Sequence, residues 1–480
     1  MTRLLLVLAA LLLGTAAPAA AAPAPDVDSY VRAYLDHTGL SGAAVAVTHG
    51  ADVVRVAGYG HGTAGTPITA STRLPIASLS KSMTAFAVLQ LAETGRLGLD
   101  EPVTRYLPEF RLADPRGARI TVRMLLDQTS GMADSAFPDL KLAQPHTLAE
   151  AVTRLRDAPL ASEPGAEFHY HNPNYEVAAR IVEVVAGQPF ADYLRTRLFG
   201  PLGMASSTTV DEPPAGTAGY VRAFGIEVPV PEPDWFTGGS HGVLSTAGDL
   251  ARWLLAQRDG GGVLSPSSVA LAHTPAPGRD YALGWAAWRP GQLSHNGEWF
   301  SHTAAQVLLP DGYGVVVLAT TGLALDNDAE ALAQGLVTLL QGGTPEPALP
   351  AGEVADRVLA GLMLLSALLA VLGVVHARRW AARRTTWWRA GLRLLPCLAP
   401  GVVLALLPDL MGVVFAGRQG TFRQVLYVWP GVVAWLGFAT LCALVVVVTR
   451  VSALVSGRQR PRREQSGETT GVVAWDSENV

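Results

Sequence analysis

The stretch "IASLSKSMTA", residues 76–85, decides how this chain reads. It contains Lys81, one of only two lysines; the other is Lys141, and arginine supplies the rest of the 36 basic residues. Arginine keeps its proton in proteins, whereas a buried lysine can release it. A lysine three residues after Ser78 therefore points to proton transfer rather than to fixed charge. Residues 79–93 are apolar on nearly every side and Gly95 follows as a stop, which is the pattern of a helix buried in a core. If Ser78 heads that helix, Lys81 lies one turn along on the same face, within reach of the hydroxyl. The helix N-terminus also favours developing negative charge. A plainer reading makes Ser78 or Ser80 an N-cap and leaves Lys81 solvated. The rarity of lysine and the apolar helix it opens favour the first.

Two further stretches carry polar groups suited to such a site. "HYHNPNY", residues 169–175, places Tyr170 and Asn172 just before a helical segment. A tyrosine beside a cationic lysine is expected to have its pKa pulled down, so that it can take the serine proton and return it to a leaving group. Asn172 can bridge the lysine and a substrate amide. As a structural element, Tyr170 is a core aromatic and Asn172 a turn or cap residue. "LSHNGEWFS", residues 293–301, brings His295, Asn296 and Gly297 into a strand. A glycine at a strand edge admits a substrate close to the backbone, and a cation or donor there can bind a carboxylate or carbonyl. Asn-Gly is also a hairpin-turn signal, which would leave His295 on the surface. A metal site built on His169 and His171 is disfavoured, because H-x-H is common and has no carboxylate or cysteine partner near it in sequence.

Around these motifs the pattern is α+β. Residues 42–48 and 52–59 read as a hairpin. Helical periods follow at 120–128, 174–186, 189–198 and 246–257. Strands are expected at 281–288, 304–309 and 313–320, and a last helix at 327–340. Strands at both ends with helices between them suggest one antiparallel sheet with a helical insertion.

Ser78-Leu79-Ser80-Lys81, Tyr170-His171-Asn172 and His295-Asn296-Gly297 stand in the order of the three motifs of the serine β-lactamase and penicillin-binding-protein superfamily. The chain resembles the branch of class C β-lactamases, D-alanyl-D-alanine carboxypeptidases and related esterases. The phrases "ITVRMLLDQTSGM" from 120, "FADYLRTRLFGPLGM" from 190 and "GGSHGVLSTAGDLARWLL" from 238 are similar too, so the likeness spans roughly residues 28–340. The resemblance implies an antiparallel sheet flanked by helices, an all-helical subdomain, and a site between them. It implies Ser78 as the acylated nucleophile, with Lys81 and Tyr170 handling its proton. Asn172, His295 and Gly297 would bind substrate, and the backbone N–H groups of Ser78 and Glu298 would form the oxyanion hole. No cofactor or metal is implied. The third motif is His-Asn-Gly where class C β-lactamases carry Lys-Thr-Gly, which leans toward a peptidase or esterase. Glu298, where a small residue is common, is expected to repel a substrate carboxylate and to favour a neutral ester or amide.

The ends of the chain place this domain. Residues 1–22 have Arg3, an apolar run at 4–13 and Ala-rich cleavage sites, the pattern of a signal peptide. The hydrolase-like domain is expected over 26–341 and a Gly/Pro-rich linker over 342–353. A membrane domain follows over 354–448, with helices at about 354–376, 394–416 and 425–448, each long enough to span a bilayer. The first connection carries Arg378, Arg379, Arg383, Arg384, Arg389 and Arg393, and the tail 449–480 carries five more arginines. The second connection has only Arg418 and Arg423. The positive-inside rule then puts the first connection and tail in the cytoplasm and the large domain outside. Asp409 is the one buried-looking charge of the membrane part, and three helices with no paired basic residue inside suit anchoring better than transport.

With 480 residues and a net charge of −4, no polyanionic partner such as nucleic acid is implied. Cys397 and Cys442 both fall in apolar C-terminal stretches, so no disulfide framework exists upstream. The expected partners are a small-molecule or peptide substrate and the lipid bilayer. The competing function is a slow or inactive ligand-binding sensor of the same fold, which the intact Ser-Lys-Tyr set disfavours.

Overall fold

The computed structural model describes residues 26–323, 327–345, 351–382, 386–414 and 417–459. The expected signal peptide, residues 346–350 of the linker and the tail beyond 459 lie outside the described residues. The chain forms two compact units. One comprises Met1–Val358 together with Leu406–Val433, and the other Leu359–Ala405 with Ala434–Val480.

The first unit opens with α1 (Val27–Thr38), capped by Asp26 and closed by Gly39 in the left-handed region. Then come β1 (Gly42–His49), β2 (Asp52–Gly60), the two-residue β3 (Leu74–Pro75) and α2 (Ser80–Glu93). The short helices α3 (Val122–Leu126) and α4 (Leu148–Thr153) precede α5 (Pro173–Ala186) and α6 (Phe190–Leu194). Next are β4 (Thr208–Thr209), β5 (Ala218–Ala223), β6 (Ile226–Pro231), β7 (Val243–Ser245), α7 (Ala247–Asp259) and α8 (Pro266–His273). The run ends with β8 (Leu293–Glu298), β9 (Thr303–Leu308), β10 (Tyr313–Ala319) and α9 (Asp328–Leu340).

The main sheet is antiparallel in the order β2-β1-β10-β9-β8. Ala43 pairs with Ala319 and Val47 with Val315, so strands from opposite ends of the domain lie side by side. Alternation along β1 explains the layering. Ala43, Val45 and Val47 pack with Val31, Leu332 and Leu336 of α1 and α9. Ala44 and Ala46 face the larger core, which holds Phe86 of α2, Ile181 of α5 and Trp253 of α7. α2 has no solvent-facing stripe: from Ser80 to Leu89 every residue is buried. It is the axle between sheet and helical subdomain, as its apolar sequence requires.

The expected strand at 281–288 does not form. Tyr281 and Ala286 make only isolated bridges, with each other and from Ala286 to Ser294. The cause is Gly284, whose φ of +79° turns the chain back on itself. A Cβ there would come within 2.7 Å of Ser82 on α2, so only glycine permits the contact.

Three helical stretches are long and apolar enough to cross a membrane: Val354–Val375, Trp387–Val414 and Pro430–Ser456. The first lies in α10 (Ala351–Val375), which α11 (Ala377–Ala382) follows. The second combines α12 (Trp387–Leu394), a 3-10 turn over Leu395–Leu398 and α13 (Ala399–Val414). The third starts later than the expected 425. Residues 422–428 form a separate helix, α14 (Phe422–Val428), and α15 (Pro430–Gln459) begins at a proline. Trp429 is non-helical at φ −133° and ψ 54°, as the residue before a proline tends to be. Within the second unit, a Cβ on Gly373 would lie 2.7 Å from Val446, so a small residue sets the approach of α10 and α15 there.

Candidate active site

The chain enters the site along β3, which pairs with β7, and Ile76 N–H donates to Val243 O at 3.0 Å. Ala77 then adopts φ +49°, a conformation unusual for a residue with a Cβ. Such strain persists only where surrounding contacts over-determine it. Here Ser80 Oγ donates to Ala77 O at 2.6 Å and accepts from Val243 N–H at 3.0 Å. Gly297 of β8 lies directly against this turn: a Cβ would sit 2.5 Å from Ile76 O. So Gly297 makes room for the turn carrying Ser78.

Ser78 is the central residue of the 3-10 turn Ala77–Leu79 in front of α2, and Lys81 sits in the first turn of that helix with no solvent exposure. Lys81 Nζ lies 3.0 Å from Ser78 Oγ, 3.0 Å from Asn172 Oδ1 and 3.1 Å from Ser240 O. Burial holds the Lys81 ammonium well below its ordinary pKa, with the Arg418 charge adding to the effect. A neutral amine has two N–H groups and one lone pair. In that neutral form Asn172 Oδ1 and Ser240 O, which can only accept, take both N–H groups and leave the lone pair facing the Ser78 hydroxyl. The N-cap reading with a solvated lysine is thereby excluded.

Asn172 is fully buried, and among the described residues its Nδ2 has no hydrogen-bond partner. Tyr170 lines the same cavity as Ser78, and Lys81 Nζ stands 4.9 Å from its ring centre. The expected lowering of the Tyr170 pKa is not found. Burial pushes the phenol up, and the opposing effects of the Ser78 hydroxyl and the Arg418 charge do not offset it. Removing the phenol from water disfavours its anion more than the nearby hydroxyl and positive charge favour it.

His295 also departs from expectation. It is 2% exposed, its Nδ1 donates to Asn296 O at 2.6 Å, and its Nε2 accepts from Tyr281 O–H at 3.0 Å. Burial drives its pKa down to about 3, so it is neutral near pH 7. It is neither a cation nor a surface turn residue. Asn296 and Glu298, not His295, reach the cavity wall. Burial raises the Glu298 carboxyl, and the Arg418 charge acts against that rise.

The loop "DQTSGM" supports the segment that carries Tyr170. Gln128 Oε1 accepts from His171 N–H at 3.0 Å and from Asn174 Nδ2 at 2.6 Å, and Ser130 Oγ donates to Asn174 Oδ1 at 2.6 Å. His171 Nδ1 meets Asp134 Oδ1 at 2.7 Å. Asp134, Asp139 and His171 offer ligand atoms within 4.8 Å of one another, a spacing that could hold a metal. Arg418 Nε stands 3.7 Å from Asp134 Oδ2, so a fixed cation already faces this group. Burial raises the Asp134 carboxyl, but His171 and Arg418 outweigh it and hold the group low.

The cavity has a volume of about 270 Å³. Trp235, Trp288, Trp299 and Phe300 give it an aromatic wall beside Ser78 and Tyr170. Ser240 and these aromatics were not singled out from sequence. Ser240 acts through its backbone oxygen, which leaves no trace in a side-chain pattern. Nor was Arg418, which lies far along the chain from the other site residues, between two apolar helical stretches of membrane-spanning length.

Comparison with known proteins agrees with this geometry. The family described as Beta-lactamase matches residues 27–339. The chain is 32% identical over 315 residues to "Esterase EstB" of Burkholderia gladioli, covering 57% of this chain and 80% of that protein. It is 32% identical over 312 residues to "Penicillin-binding protein 4" of Amycolatopsis lactamdurans, covering 59% and 81%. Among solved structures, the octameric penicillin-binding protein homologue from Pyrococcus abyssi superposes with a TM-score of 0.58 at 26% identity, covering 70% of this chain and 80% of the other. The chain belongs to the beta-lactamase family and is a serine hydrolase of the β-lactamase-related type, with three C-terminal helices fit to anchor it in a membrane.

Proposed function

We propose that this protein is a membrane-anchored, extracytoplasmic hydrolase that cleaves an ester or amide through an acyl-enzyme on Ser78. The observation that carries the reading is the Lys81 amine, buried, with its pKa lowered by that burial, and 3.0 Å from Ser78 Oγ. Lys81 takes the hydroxyl proton as Ser78 Oγ bonds to the substrate carbonyl carbon. The C–O or C–N bond to the leaving group then breaks. The proton reaches the leaving atom through the Lys81–Tyr170 pair: burial keeps the phenol protonated, so Tyr170 passes a proton to the leaving atom as Lys81 returns the serine proton to it. Water completes hydrolysis by the reverse route, releasing the acid and restoring Ser78.

Asn172 holds Lys81 through Oδ1 and keeps Nδ2 for a substrate carbonyl. The backbone N–H groups of Ser78 and Glu298 serve as the oxyanion hole, and Gly297 holds the two elements that bear them close together. His295 acts on substrate through Tyr281 and the Asn296 backbone, not by charge.

The extracytoplasmic placement rests on the arginine-rich first connection and on the leader-like N-terminus. The packing of Leu406–Val433 with the hydrolase domain in one compact unit supports it, because that segment contains the arginine-poor second connection. Esters and penicillin-type β-lactams are the substrate classes that the relatives' names bring into range, and the motif resemblance adds D-Ala peptides.

The test is covalent labelling of the full chain in detergent or nanodiscs with a fluorescent penicillin and, separately, a fluorophosphonate, with Ser78→Ala as control. Label on Ser78 from both probes indicates a penicillin-binding peptidase or β-lactamase, and label from the fluorophosphonate alone an esterase or amidase. No Ser78-dependent label from either would overturn the reading.

A further inference from the structure

The segment between the second and third membrane-crossing helices forms part of the cavity that holds Ser78. Met411, Arg418, Gln419, Gly420, Gln424 and Val428 all line it. This segment is built onto the hydrolase domain by specific contacts. Lys141 Nζ donates to Asp409 Oδ1 at 2.6 Å and to Gln419 Oε1 at 3.2 Å. Gln424 Nε2 donates to Leu140 O at 3.3 Å, and Tyr427 O–H donates to Pro231 O at 2.8 Å. Gly417, at φ +99°, lies so close to Ser135 that a Cβ would stand 3.1 Å from its backbone nitrogen. Thr421 and Gln424 form a capping box that fixes the start of α14.

The geometry points to Met411 and the stretch Arg418–Val428 as a substrate-binding wall of the active site, with Arg418 as the cation that receives an anionic group, a carboxylate, on an otherwise apolar substrate. Four observations on the cavity carry this. Arg418 is the one permanently charged cation among the lining residues: Lys81 lies behind the wall, and burial keeps His241 neutral. Its side chain is 30% exposed, and its Nε, although buried, has no hydrogen-bond partner among the described residues. Asp134 at 3.7 Å is near enough to position the charge, but it is beyond hydrogen-bonding distance. The rest of the wall is largely aromatic, which accounts for the apolar body. An arginine fork suits a carboxylate better than a neutral amide. The expectation that Glu298 repels a carboxylate is weakened, because burial favours its neutral form and Arg418 shares the cavity.

This inference rests on the hydrolase reading for its meaning, yet binding can be measured without turnover. The experiment uses the full chain in nanodiscs, carrying Ser78→Ala to prevent reaction. Binding of N-phenylacetylglycine and of N-phenylacetylglycinamide is followed by tryptophan fluorescence and by equilibrium dialysis. The carboxylate should bind about tenfold to a hundredfold more tightly than the amide, as a charge-assisted hydrogen bond allows. Arg418→Gln should abolish that preference and Arg418→Lys should keep part of it, with thermal melting confirming that both variants fold. Equal binding of the two probes, or a preference that survives Arg418→Gln, would overturn the inference. Fluorophosphonate labelling of Ser78 in the otherwise unaltered chain judges the hydrolase reading separately, so one can fail while the other stands.

Discussion

The cavity has two walls made in different ways. The first comes from Ile76–Lys81, Tyr170–Asn172 and β8, where Lys81, Asn172 and His295 are at most 2% exposed and the backbone at Ala77 is forced to positive φ. The second comes from Leu406–Val433, held by an ion pair whose side chains are 40% and 56% exposed and by hydrogen bonds to backbone oxygens. Chemistry needs the first kind, because a lysine loses its proton only when water is kept from it and its other partners are fixed. Binding tolerates the second, because a cation can attract a ligand without being held to a fraction of an ångström. The comparison teaches that rigidity is concentrated where a proton moves.

The largest effects should therefore come from the first wall. Ser78→Ala should lower kcat/KM for a p-nitrophenyl ester on the order of 10⁴-fold or more, as loss of a nucleophile does elsewhere. A variant within tenfold of the parent would show that the wall does not work through Ser78. Lys81→Met keeps the bulk and removes the amine, and a loss of roughly 10²–10⁴-fold is expected for a general base. The sign of the pH profile follows from the lowered pKa of Lys81. Activity should rise as pH rises through that pKa and the amine loses its proton, and this limb should vanish in Lys81→Met. A limb that persists unchanged would assign the base elsewhere.

Gly297→Ala sharpens the comparison, since it changes no polar group. Its Cβ would meet Ile76 O at 2.5 Å and push the nucleophile turn, so kcat should fall about 10²-fold, as a misplacement near 1 Å does. A kcat unchanged in a folded variant would show that the turn is not as tightly determined as its strain suggests.

Stability should reveal the dryness of the first wall as well. His295 is held down to about 3 and His302 to about 4, both by burial. The unfolded chain takes up these protons near pH 6.5, and the folded chain does so only near pH 3–4. Above pH 6.5 neither state is protonated and nothing is lost. As pH falls from 6.5 toward 4, each histidine should remove up to about 1.4 kcal/mol per pH unit from folding stability. Chemical denaturation from pH 7 to 5 checks this, and His302→Gln should flatten the curve. The smallest effect belongs to the second wall. Lys141→Ala removes an exposed ion pair worth about 1 kcal/mol or less, so KM should rise about fivefold at most, with kcat unchanged.

Much of the first wall was legible in residue order. A rare lysine at the head of an all-apolar helix implies a buried amine, and the three short motifs imply neighbours for it. The β1–β2 hairpin and the C-terminal strands of the sheet were legible through alternation and turn residues, and their observed bounds differ from the expected ones by a residue or two. The strand expected at 281–288 was not, because Gly284 is needed for a contact with Ser82 that sequence spacing does not display. The hairpin β5–β6 and helix α8 were missed for want of a strong local period.

By itself, the sequence determined the family-like motifs, the α+β plan, the buried helix with Ser78 and Lys81, and three apolar stretches of membrane-spanning length. These depend on local composition and period, which one chain displays directly. Only the tertiary structure decided that Tyr170 is raised rather than lowered, that His295 is neutral, and that Arg418 stands in the cavity with Ser78. Those outcomes depend on which groups exclude water from which others, and on contacts between residues more than a hundred positions apart. Neither is written in the order of the residues, because burial and electrostatic field belong to the packed fold and not to the chain.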